Sequence, residues 1–136
     1  MLLLSVLKKR GFLLKNKRKR SRDYVCPHCF KSPGQCTCSY YSQTLILIDY
    51  NLQPIIQKLN EAGYYTMDCC EGHWGDYKMN MYISFVKPIN SCPIGFQKEK
   101  YVVRYIYKAK TEEEFKKEKE EMIYNLNHWL IELGAV

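Results

Sequence analysis

Four of the seven cysteines lie close together near the beginning of the chain, at Cys26, Cys29, Cys36 and Cys38. Zinc is commonly held in proteins by four thiolates at the corners of a tetrahedron. The two-residue gap between Cys26 and Cys29 lets a tight turn aim both sulfurs at one point. Pro33 and Gly34 are turn formers that can fold the second cysteine pair back onto the first. The spacing therefore predicts a structural zinc knuckle.

The same four thiols also allow other interpretations. They could form two disulfides or hold an iron–sulfur cluster, and His28 could replace one cysteine as a ligand. The compartment bears on this choice. The first basic residues follow the apolar residues 1–7 instead of preceding them, which is not the order of an export signal. That apolar run is also shorter than the roughly 20 residues that span a bilayer. We therefore expect a cytoplasmic protein without a transmembrane segment, in which thiols and metal are favoured over disulfides.

A second group of reactive side chains occupies residues 68–73, where a strand is expected to end. Cys70 and His73 could form a thiolate–imidazole pair, in which the histidine lowers the pKa of the thiol. Glu71 could orient the pair or exchange protons with a substrate. Asp49 follows a neighbouring apolar strand and could reach the same rim. These four residues are the candidate catalytic set.

Other interpretations of this loop stay open. Cys70 and His73 could be ligands of a second metal ion, or of the first one in place of Cys36 or Cys38. Cys69 could be ordinary core packing. Because the loop is polar and contains two glycines, we expect it to be exposed, and we expect its replacement to cost little stability.

The positive charge of the chain is concentrated at its beginning. Residues 1–22 contain nine basic residues and no acidic one, whereas the remainder contains 12 basic and 14 acidic residues. Such an arm favours binding to phosphates or to an anionic surface. The candidate nucleic-acid-binding residues are Lys15, Lys17, Arg18, Lys19, Arg20 and Arg22.

Hydrophobic periodicity predicts the elements that must position these groups. A buried strand is expected over residues 44–48, and further strands over 64–69, 79–85 and 101–107. One helix begins near Pro54, capped by Asp49 or Asn51, and ends at Gly63. The last helix runs from the capping pair Thr111 and Glu114 to Gly134. The pattern predicts an α+β fold in which two helices pack on one face of a mainly antiparallel sheet. We expect a basic arm over 1–22, the knuckle over 23–42 and the α+β domain over 43–136.

A local resemblance covers roughly residues 44–86. Asp49, Pro54-Ile55-Ile56, Leu59-Asn60, Tyr65-Thr66 and Cys70-Glu71-Gly72 resemble the start of the wybutosine-synthesis family of tRNA methyltransferases. In that family a strand leads through a helix to a Ser-Ser-Cys-Ser-Gly-Arg loop. His73 stands where the family has arginine, and Cys69 and Glu71 stand where it has serines. The resemblance implies a related fold and an RNA-modifying activity centred on this loop.

The whole layout is similar to small zinc-knuckle proteins of phages and mobile elements. Those proteins combine a cysteine knuckle, a helix and a Cys-x-Gly-His loop. The resemblance implies an accessory or host-interfering role.

These observations give three hypotheses of function. The first is a zinc-binding accessory protein of phage or mobile-element origin. Its arm and knuckle bind a nucleic acid, with RNA favoured, or a host nucleoprotein or defence component. Tyr24, Phe30, Tyr40 and Tyr41 would then offer stacking faces, unless they cover the metal and join the core. The second is an RNA-modifying enzyme that uses Asp49, Cys70, Glu71 and His73. The third is a small-ligand-binding protein whose pocket is formed by the same loop with Trp74.

Overall fold

The computed structural model describes residues 22–27, 29–38 and 46–136, and there the chain has the predicted α+β class. A first, two-stranded sheet pairs β1 (Arg22–Val25) with β2 (Ile46–Asp49) in antiparallel fashion. Strand β1 was not predicted, because four residues that include Arg22 and Asp23 carry little apolar alternation. Its pairing with the apolar β2 fixes the segment that leads into the cysteine knuckle.

The second sheet has four antiparallel strands in the order β3-β4-β6-β5. They are β3 (Thr66–Cys70), β4 (Asn80–Phe85), β5 (Gln97–Lys98) and β6 (Val102–Ile106). Strand β4 shows the predicted alternation, since Met81, Ile83 and Phe85 are buried and the residues between them are partly exposed. The apolar strand expected over 44–48 pairs with β1, so the strands form two sheets instead of one.

Helix α1 (Gln53–Glu61) follows a short 3-10 turn over Tyr50–Leu52. Pro54 lies in its first turn, where a missing N–H breaks no helical hydrogen bond. The buried face presents Leu52, Ile55, Ile56 and Leu59. The expected cap by Asp49 is absent, because its carboxylate bonds Arg22 and the Glu71 N–H instead.

Helix α2 (Glu112–Leu133) begins and ends at the predicted residues. The Thr111 hydroxyl accepts a hydrogen bond from the Glu114 N–H at 3.1 Å, and Gly134 adopts a φ of 77° at the C-terminal end. Its buried stripe consists of Phe115, Met122, Leu126, Trp129 and Leu130.

One hydrophobic core joins both helices, the four-stranded sheet and the knuckle. Trp129 packs edge-on against Phe85 with ring centroids 6.4 Å apart, and its indole N–H donates to the Ser91 hydroxyl at 2.9 Å. Val25 and Phe30 bring the knuckle into the same core. Within the described residues, no helix has the length and apolar character needed to cross a membrane.

Candidate functional site

The four cysteines of the knuckle come together as predicted. The four sulfur atoms all lie within 4.8 Å of one another, so the group could hold a metal ion: Cys26, Cys29, Cys36 and Cys38. All seven cysteines of the chain are free thiols, which disagrees with the two-disulfide alternative. Cys26 is buried and the other three are half-buried. We call this group the four-cysteine cluster.

Backbone hydrogen bonds shape the turn that carries the first two cysteines. The Cys26 N–H donates to the Lys31 carbonyl at 2.9 Å, and the Phe30 N–H donates to the Cys26 carbonyl at 2.8 Å. Phe30 takes a φ of 63°, an uncommon conformation for a bulky residue. Its carbonyl accepts a 2.7 Å bond from Gln53, and its ring is buried in the core. Phe30 therefore offers no stacking face, whereas Tyr24 is exposed.

Burial and the neighbouring thiols raise the pKa of two cysteines of this cluster, Cys36 and Cys38. Burial, and then the neighbouring Cys29 and Cys36, raise the pKa of Cys38 to about 12. For Cys36, the N–H of Cys38 lowers the pKa, but burial and the neighbouring thiols outweigh it and the pKa rises. A divalent cation reverses this balance, because it binds thiolates directly and releases their protons.

A second group of possible ligands forms where strands β2 and β3 end and the chain continues into the following segments. One ligand atom from each of Asp49, Cys70 and His73 lies within 4.8 Å of the others. Asp49 ends β2, Cys70 ends β3, and His73 follows in the next turn. We call these three residues the Asp-Cys-His cluster. Neither Cys70 nor His73 belongs to the four-cysteine cluster, so the structure does not place them there as replacement ligands.

Asp49 is the centre of this second group. Its carboxylate is only 3% exposed and accepts a 3.0 Å bond from the Arg22 guanidinium and a 2.7 Å bond from the Glu71 N–H. His73 Nε2 lies 3.5 Å from the same carboxylate, too far for a good hydrogen bond. Among the described residues, this nitrogen is buried and has no hydrogen-bond partner.

The loop is less exposed than its polar sequence suggested, which corrects one expectation. Glu71 is 3% exposed, and its carboxylate accepts a 2.8 Å bond from Lys119 of α2. The Glu71 carbonyl accepts a 2.6 Å bond from the Tyr107 hydroxyl. Glu71 thus connects the loop to α2 and to the end of β6, which gives it a structural role beside its predicted catalytic one.

The thiol of Cys70 is not activated in the predicted way. Burial is the main cause that raises its pKa, and the Asp49 carboxylate adds to the rise. The Gly72 N–H, which donates to the sulfur at 3.4 Å, and the Arg22 charge act in the opposite direction without cancelling it. His73 is not among the main causes of this rise, so the thiolate–imidazole pair stays a prediction. Burial likewise raises the pKa of Cys69, to about 12, and its side chain packs against the core.

Gly72 makes the tight passage between Cys70 and His73 possible. Its φ is 86°, and a Cβ atom there would lie 2.6 Å from Cε2 of Tyr107 and 3.0 Å from the Asn80 carbonyl oxygen. Only glycine can adopt this positive φ without strain and also leave out the Cβ atom that would collide with Tyr107 and Asn80. The loop is therefore held in one conformation against Tyr107.

We expect Gly72→Ala to lower the free energy of unfolding by about 2–5 kcal/mol, because the strained φ and the overpacking against Tyr107 both contribute. Gly75→Ala is the matched control, since Gly75 has a φ of 92° but nothing within 4 Å of its would-be Cβ. In the control, the free energy of unfolding should fall only by the cost of placing alanine at a positive φ, about 1–2 kcal/mol. Urea denaturation measures both. Equal losses would contradict a tight contact with Tyr107.

The other predicted site residues separate into two sets. Arg22 lies in β1 and bonds Asp49. The remaining arm residues lie outside the described part of the chain: Lys15, Lys17, Arg18, Lys19 and Arg20. Trp74, assigned to a ligand pocket, packs against Phe115 with ring centroids 5.8 Å apart.

Sequence reasoning missed Lys119 and Tyr107, which hold the loop. A signal for Lys119 was present: it lies four residues after Phe115 and three before Met122, so it interrupts the apolar stripe of α2. A lysine on a buried helix face needs an anionic partner.

No family model, curated protein or solved structure matches this chain.

Proposed function

We propose that the chain is a small zinc-binding protein that binds nucleic acid, with RNA favoured, through the basic arm and the knuckle. The observation that carries the proposal is the assembly of the four-cysteine cluster directly after β1, where the basic segment ends. Zinc is the metal that tetrathiolate sites of this size most often hold. Metal fingers of this kind serve both nucleic-acid and protein recognition.

The charge distribution supports the same proposal. Residues 1–22 contain nine basic residues and no acidic one, and the rest of the chain has a small excess of acidic residues. Attraction to phosphates would therefore come from the arm. Arg22, the last basic residue of the arm, pairs with Asp49 at 3.0 Å and so ties the end of the basic segment to the body.

An accessory role in a phage or mobile element fits this small, metal-stabilised binding protein. The alternative target is a host nucleoprotein or defence component, whose RNA or DNA would attract the same arm. Pull-down from a native host followed by nuclease treatment separates these targets, because a protein contact survives the nuclease and a nucleic-acid contact does not.

We expect replacement of Lys15, Lys17, Arg18, Lys19 and Arg20 by glutamine to weaken RNA binding and to flatten its salt dependence. For single-stranded RNA the magnitude of the slope of log affinity against log salt should fall by up to about 3.5, since each of the five lost phosphate contacts contributes about 0.7. The matched control replaces five exposed lysines of the body by glutamine: Lys58, Lys87, Lys110, Lys116 and Lys117. Fluorescence anisotropy over a salt series measures both. An equal effect of the two variants would mean that net charge, and not the arm, governs binding.

A further inference from the structure

The Asp-Cys-His cluster contains donors of three kinds directed at one small space. A carboxylate oxygen of Asp49, the sulfur of Cys70 and a ring nitrogen of His73 lie within 4.8 Å of one another. Ligands that share one tetrahedral metal ion are separated by distances of this order, since each lies about 2.0–2.3 Å from the metal. The geometry alone is therefore compatible with a bound ion.

The nitrogen of His73 that lacks a hydrogen-bond partner is a second, independent observation that points to a ligand at this place. His73 Nε2 is buried and makes no hydrogen bond among the described residues, and it sits 3.5 Å from a carboxylate oxygen that already accepts the Glu71 N–H. A buried nitrogen without a partner is costly. A metal ion placed between this nitrogen, the Cys70 sulfur and the Asp49 carboxylate removes that cost.

Groups around the cluster already orient its ligands as outer-shell partners do in metal sites. Arg22 bonds the oxygen of Asp49 that does not face His73, and the Gly72 N–H donates to the Cys70 sulfur. The Glu71 N–H fixes the second oxygen of Asp49. Such partners set ligand orientation, and metal affinity depends on them. Asp49 and Cys70 are thus held in position by the backbone and by Arg22 before any ion binds.

We propose that Asp49, Cys70 and His73 bind a second zinc ion whose fourth coordination position is open to water. The mixed sulfur, nitrogen and oxygen donor set suits zinc and does not suit magnesium or calcium, which prefer oxygen alone. Three protein ligands with one open position are the pattern of catalytic zinc, whereas structural zinc sites have four. His73 is 27% exposed, so water can reach the ion.

This proposal does not depend on nucleic-acid binding by the arm. It assigns the loop a different chemistry from a thiolate–imidazole pair, because Cys70 acts as a metal ligand and not as a nucleophile. A zinc-bound water is the nucleophile or proton acceptor that such a site supplies. The four-cysteine cluster remains a separate, closed centre.

The test is the metal content of the full chain and of three variants after dialysis against metal-free buffer. Wild-type protein should retain about two zinc ions per chain, and His73→Ala and Asp49→Asn should each retain about one. Exposed His128 on α2 provides the matched control, because His128→Ala should keep both ions. The buried Nε2 atom of His73 makes no hydrogen bond among the described residues, so removal of the ring by His73→Ala breaks none at this atom and the variant should fold normally.

Cobalt substitution identifies which ion is lost. A tetrathiolate site gives strong sulfur-to-cobalt charge-transfer absorption, and the mixed site adds weaker bands that should be absent in His73→Ala. Loss of the weaker bands with the tetrathiolate bands intact would support the second site. One retained zinc ion in wild-type protein, unchanged in His73→Ala, would overturn it. A second ion that persists equally in His73→Ala and Asp49→Asn would also overturn it.

Discussion

Replacing Cys26 or Cys36 by serine should remove the metal ion of the four-cysteine cluster and lower stability severely. Structural zinc contributes roughly 10 kcal/mol or more to the folding of small finger peptides. Here the four-cysteine cluster is joined to the core through Val25 and Phe30, so its collapse should loosen β1 and β2 as well. We expect a large fall in melting temperature together with the loss of one equivalent of metal by elemental analysis.

Cys92→Ser is the matched control for this result. Cys92 is a half-buried free thiol outside both clusters, and within the described part of the chain its thiol donates a 3.6 Å hydrogen bond to the Phe96 carbonyl. The control should keep its metal and most of its stability. Wild-type protein that contained neither zinc nor iron would contradict the metal assignment. So would a Cys36→Ser variant that kept its metal content and its melting temperature.

The elements that sequence alone predicted well are those whose signals are local. Helix α2 carries its own cap at Thr111, its own stop at Gly134 and an apolar stripe between them, so its limits needed no information from elsewhere. The four-cysteine cluster was predictable for the same reason, since all its ligands lie within residues 26–38. Strand β4 was predictable from its alternating burial.

The parts that were missed depend on contacts between distant residues. Strand β1 exists because it pairs with β2, whose residues lie more than twenty positions later, and β5 consists of only two residues. Burial of the loop depends on Lys119, which is 48 positions from Glu71 in the chain. The local pattern of residues 68–73 cannot predict a contact with a residue so distant in the sequence. The sequence therefore indicated the reactive residues of the loop but not the scaffold that buries it.

The ion pair between Lys119 and Glu71 should be essential for the position of the loop. Both side chains are largely buried, and the Lys119 Nζ atom lies 2.8 Å from the Glu71 carboxylate and 5.0 Å from the centre of the Phe115 ring. Removing one partner of a buried pair leaves an uncompensated charge, which typically costs about 3–5 kcal/mol. We expect Lys119→Met to lower the free energy of unfolding, measured by urea denaturation, by an amount in this range.

Two further variants make the interpretation specific. Lys116→Met changes an exposed lysine of the same helix and should alter stability by no more than about 0.5 kcal/mol. The double variant Glu71→Gln with Lys119→Met removes both charges, so it should recover much of the lost stability. Because the Glu71 N–H fixes Asp49, the loosened loop of Lys119→Met should also weaken metal binding at the proposed second site and leave metal binding by the four-cysteine cluster unchanged. Equal stability of Lys119→Met and Lys116→Met would instead show that the ion pair does not hold the loop, and that Tyr107 and Gly72 are sufficient to position it.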